Sequence, residues 1–89
     1  MGSAMAIEIR QTLMKARLQT ATTTFKAIRR DFDCSLGRME GLQERLIDLS
    51  GDLEETEERL ATDGGWTEEN QTQLRLLMRA TMALLAVVM

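Results

Sequence analysis

The chain has no histidine, no tyrosine and no proline, and only one cysteine among its 89 residues. Each absence closes a route. Without His or Tyr the common general bases and His-dependent nucleophile pairs are missing, so a non-enzyme is expected. One cysteine permits neither an intrachain disulfide nor a thiolate metal cluster, which points to a reducing, intracellular setting and by extension the cytoplasm. Aromatic residues make up 3%, leaving little with which to build a sheet core or to stack on nucleic-acid bases. No charged region followed by an apolar run opens the chain, so no secretory signal is read there. Residues 1–5, "MGSAM", read as a cloning remnant ahead of one helical domain over 6–89, itself read as a piece of a larger protein.

What remains is a helix-former's alphabet of Met, Leu, Ala, Glu, Gln and Arg. Charge is unevenly placed. Residues 1–30 hold six Lys or Arg against one Glu, and residues 31–69 hold thirteen acids against three Arg. A basic first third and an acidic middle attract each other when the chain folds back or pairs head to tail.

Apolar residues recur at alternating spacings of four and three. The seam runs through Ile7, Gln11, Met14, Leu18, Ala21, Phe25, Ile28 and Phe32. It passes Ser35 and continues through Met39, Leu42, Leu46, Leu49, Leu53, Thr56 and Leu60. Such a repeat lets helices wind about each other with side chains in facing holes. The stretch "RRDFDCSLGRMEG", residues 29–41, is the weak point, since Asp, Cys, Ser and Gly all disfavour helix. The seam keeps its phase across that stretch and no proline interrupts it, which favours one continuous helix from about 6 to 62 over a hairpin turning at 33–37. A helix of that length would run about 85 Å and would need a partner.

A second break is plainer. Asp63, Gly64 and Gly65 suit a tight reversal, and Thr67 ahead of Glu68 and Glu69 is a candidate N-cap for a last helix over 67–89. That helix runs antiparallel to the segment before it and offers Leu74, Leu77, Met78, Leu84, Leu85 and Val88 to the core, with Trp66 packing back on its first turns.

The seam's partner is expected to be a second copy running antiparallel. A parallel pairing would set Arg10 against Lys15 and Asp52 against Glu57, both unfavourable. The antiparallel register sets Ile7 opposite Leu60, Met14 opposite Leu53, Leu18 opposite Leu49, Phe25 opposite Leu42 and Ile28 opposite Met39. It also places Gln11 in one layer with Thr56, a buried polar pair of the kind that fixes register. Arg17 then lies beside Asp52 and Asp31 beside Arg38. A monomeric hairpin or three-helix bundle would make much the same contacts within one chain, as the domain-swapped counterpart of the dimer.

The remaining chemistry is sparse. Glu54, Glu55, Glu57 and Glu58 point away from the seam and read as a solvated face, not a metal site, and a Glu-x-x-His pair cannot exist here. Cys34 sits near Arg29, Arg30 and Arg38 and reads as incidental. Arg10, Lys15, Arg17, Lys26, Arg29 and Arg30 scatter around the helix, so nucleic-acid binding is not expected. No cofactor, metal or small-molecule substrate is implied. The ten residues from Ala80 to Met89 carry no charge, too few to span a bilayer at about 20 residues, so a membrane role rests on that apolar end alone.

The expected architecture is therefore all-α: a long heptad-patterned helix, a Gly-Gly reversal and a shorter antiparallel helix, assembled as an antiparallel coiled-coil dimer or bundle. The expected function is a non-enzymatic oligomerisation or tethering module, binding itself and another helical protein. Two alternatives stand beside it. One is a small helical chaperone or adaptor that grips an amphipathic helix, and the other a membrane-proximal tether. In general plan residues 57–88, a Gly-bearing turn before a final aliphatic helix, are similar to small co-chaperones of type III secretion needle subunits. That likeness of shape implies the chaperone alternative.

Overall fold

Helix formers fill every stretch that the computed structural model describes, residues 3–34, 40–62 and 65–89, and each stretch carries one helix. Helix α1 spans Ser3–Cys34, α2 spans Glu40–Thr62 and α3 spans Glu68–Val88, with no strand among the described residues. All three pack on one another in an up-down-up bundle measuring 55 × 18 × 18 Å.

The all-helical class and the bundle are as expected. The continuous helix over 6–62 is not formed. It would measure about 85 Å, and the molecule's longest dimension is 55 Å. Instead α1 and α2 lie antiparallel within one chain. Arg17 Nη2 reaches Asp52 Oδ1 at 2.9 Å, and Arg45 Nη1 reaches Asp31 Oδ2 at 2.6 Å. Retained phase was a misleading guide because each helix of a hairpin needs only its own period to face the other. Closing a short connection also costs far less entropy than recruiting a second chain. The alternative, a hairpin turn at 33–37, is described only at Asp33 and Cys34, which end α1 as helix. Ser35, Gly37, Arg38 and Met39 lie outside the described residues, as do Asp63 and Gly64.

The seam is consumed by this folding. Met14, Leu18, Ala21, Ile28, Leu42, Leu46, Leu49, Leu53, Thr56 and Leu60 are buried, and Phe25 and Phe32 pack partly buried against them. From α3 come Leu74, Leu77 and Leu84, with Met78, Leu85 and Val88 at the margin. Burying one such aliphatic side chain contributes about 1.5–3 kcal/mol, so this cluster is what holds the bundle. Two expected members fall outside it. Ile7 is 43% exposed and Trp66 is 48% exposed.

The second reversal explains Ile7. A Cβ on Gly65 would stand 3.1 Å from the Arg10 carbonyl oxygen and 3.3 Å from Met14 Cβ. A larger residue would have to push α1 aside, so glycine suits a chain turning this close to it. The turn meets α1 at Arg10 and Gln11, so the turns of α1 before that point have no helix beside them and Ile7 stays in solvent. Thr67 caps α3 as expected: with φ −138° and ψ 159°, its hydroxyl accepts the Asn70 backbone N–H at 3.0 Å.

Asn70 does more than sit in a first turn. It is 2% exposed, and its Nδ2 donates to Gln11 O at 3.2 Å and to Gly65 O at 3.1 Å. Gln11 Nε2 donates to Trp66 O at 3.2 Å. The expected Gln11–Thr56 pair is therefore replaced. The arriving third helix occupies Gln11, and Thr56 Oγ1 instead accepts from Arg17 Nε at 2.6 Å and donates to Asp52 O at 2.7 Å.

Candidate interaction surface

With the seam inside, the surface question becomes which large apolar side chains the fold leaves out. On α1 these are Met5, Ile9 and Leu13, at 69%, 53% and 63% exposure. Met5 and Ile9 lie on the side opposite Met14, Leu18 and Ile28, and Leu13 lies beside them on one flank. Continuing at spacings of three and four, that outer face holds Thr12, Ala16, Thr20, Thr23 and Ala27. It carries no charge from Met5 to Ala27, a length of roughly 33 Å. The hydroxyls of Thr20 and Thr23 donate to the carbonyls of Ala16 and Gln19, each at 3.1 Å. Their donors are thus used within the helix, and what the face offers a partner is largely methyl groups.

Beside this face a shallow groove of about 320 Å³ runs between α1 and α2, lined by Arg10, Leu13, Met14, Arg17 and Arg59. Its cations are mostly engaged. Arg17 bonds Asp52 and approaches Glu55 at 3.7 Å, and Arg59 bonds Glu55 at 3.0 Å.

On α3 the exposed set is Leu76, Met82, Val87 and Met89, joined by Ile47 of α2. Met82 lies against α2, where Ser50 Oγ is 3.9 Å from its sulfur. This uncharged end of α3 leaves apolar atoms in solvent on more than one side. Among the described residues, no helix is long and apolar enough to cross a membrane.

The other candidates stay apart. Glu54, Glu57 and Glu58 are exposed along α2, and no three acidic or thiol side chains converge among the described residues. Cys34 is exposed at the end of α1. The basic residues of α1 are divided by their partners: Lys15 reaches Glu69 at 3.6 Å, Arg29 reaches Asp33 at 3.2 Å, and Arg17 turns to α2. They form no continuous stripe.

The outer face of α1 was the feature missed in the sequence. Its signal is a second apolar spacing, Met5–Ile9–Leu13, interleaved with the stronger seam through Ile7 and Met14. No family model, curated protein or solved structure matches the chain.

Proposed function

We propose that this chain is a non-enzymatic protein–protein interaction module, a small helical adaptor that engages an amphipathic helix of another protein. The observation that carries the reading is the arrangement of what is left exposed. Single exposed aliphatic residues are ordinary on any protein surface. A row of them at helical spacing, Met5, Ile9 and Leu13 on α1, together with Leu76 and Val87 on one side of α3, is how helix-to-helix recognition is built. The missing general bases support a binding role over a catalytic one, and a lone exposed thiol suits a reducing compartment.

Tethering through an Ile7–Leu60 dimer seam is the weaker form of this idea, because most of that seam, from Met14 to Leu60, is already buried inside the chain. Pairing through them requires two molecules to exchange helices.

A photo-crosslinking residue placed at Leu76 or Val87, compared with one at Glu54 on the charged side of α2, tests the proposal in living cells. Discrete adducts from the two apolar positions, absent from Glu54, are expected. The same diffuse pattern from all three positions would refute it.

A further inference from the structure

We infer that the outer face of α1 is a self-association surface, on which a second copy of this chain lies antiparallel about a two-fold axis at Ala16. The face is complementary to itself in size. Its large residues, Met5 and Ile9, stand at one end, and its small ones, Thr20, Thr23 and Ala27, at the other. Reversing a second copy over the first sets Ile9 against Thr23 and Met5 against Ala27. Thr12 then meets Thr20, and Ala16 meets Ala16 where the two backbones come closest. Large thus meets small at both ends and small meets small at the centre, which permits close helix packing.

Charge agrees with that register. Glu8 and Lys26 share one flank of the face, and both are exposed. Among the described residues neither takes part in an ion pair, whereas Lys15, Arg17 and Arg29 on the same helix each do. The antiparallel arrangement brings Glu8 of each copy to Lys26 of the other, twice over by symmetry. Next to the axis like charges approach on both flanks, Lys15 on this one and Arg17 on the other, but each is turned onto its own chain, Lys15 onto Glu69 and Arg17 onto Asp52 and Glu55. An unrelated helix has no reason to repeat this reversed order of sizes and charges. A second copy carries it by the symmetry itself, which favours the self-pair over a foreign helix.

The inference rests on the interaction-module reading but uses a different helix, so it can fail while the α3 crosslinking result stands. Its test is light scattering of the full chain across a wide concentration range. A dimer is expected, reduced to monomer by Ala16→Lys with the circular-dichroism melt unchanged. Glu8→Lys should weaken the dimer several-fold, and Glu8→Lys combined with Lys26→Glu should restore it. In a Cys34→Ser background, mixing Ile9→Cys chains with Thr23→Cys chains should give mainly the mixed disulfide on oxidation. A monomer at every concentration, a dimer indifferent to Ala16→Lys, or no rescue by the charge exchange would each overturn the assignment.

Discussion

Around Gly65 the bundle is tied by directed bonds: Asn70 to two carbonyls, Gln11 to the Trp66 carbonyl, Thr67 to the first turn of α3, and Arg17 to Thr56 and Asp52. Toward the other end Ile28, Leu42, Leu46 and Leu84 fill the core, edged by Phe32, Leu85 and Val88, and the buried hydroxyl of Thr81 has no partner among the described residues. The difference separates two jobs. Apolar contact is non-directional and supplies most of the free energy, while buried hydrogen bonds discriminate between alternative alignments of the same helices. A bundle with rows of aliphatic residues on every helix needs that second job done somewhere, and here it is done at the α2–α3 reversal.

The largest effect should come from the oily end. Leu46 is fully buried, and Leu46→Ala should cost about 2–5 kcal/mol through lost transfer energy and the cavity left behind. Urea denaturation followed by far-UV circular dichroism measures it. A loss no larger than that of an exposed substitution such as Leu76→Ala would mean that the core is not where the stability lies.

At the tied end the loss should be smaller and different in kind. Asn70→Leu keeps the bulk but strands the Gly65 carbonyl and removes the second bond on the Gln11 carbonyl, at a cost of about 1–3 kcal/mol. Its distinguishing sign is loss of uniqueness: extra amide resonances for α3 in a nitrogen–proton correlation spectrum while helix content holds. A single sharp set of peaks after the substitution would show that apolar packing alone fixes the alignment, and the contrast between the ends would vanish.

These two residues also mark what could be read from the sequence. Leu46 was legible because burial on a helix announces itself as a period, and the seam predicted ten of the buried positions on α1 and α2 from spacing alone. The Arg17–Asp52 pair was legible too, since charge opposite charge follows once the helices run antiparallel. Connectivity was not. The same seam serves a hairpin and a pair of exchanged chains, and no local feature of residues 29–41 separates the two. Nor was the role of Asn70 visible, because its acceptors are main-chain carbonyls at Gln11 and Gly65, and every residue has one of those. The outer face of α1 was hidden for a different reason. Two interleaved apolar spacings on one helix look like a single noisy one until the fold shows which is inside.

The smallest expected effect, and the only gain, is at Thr81. Thr20, Thr22, Thr23, Thr24, Thr56 and Thr62 each return a hydroxyl hydrogen bond to the carbonyl four residues back. Thr81, 1% exposed, has none among the described residues. A buried hydroxyl without a partner carries its desolvation cost uncompensated. Valine has nearly the same shape and a similar helix propensity, so Thr81→Val removes that cost with little change in packing. The bundle should gain about 1 kcal/mol, seen as a higher urea midpoint at an unchanged slope. A lower midpoint would show that the hydroxyl is bonded in solution and that the oily end carries a buried hydrogen bond of its own. The division of labour between the two ends would then have to be redrawn around Thr81.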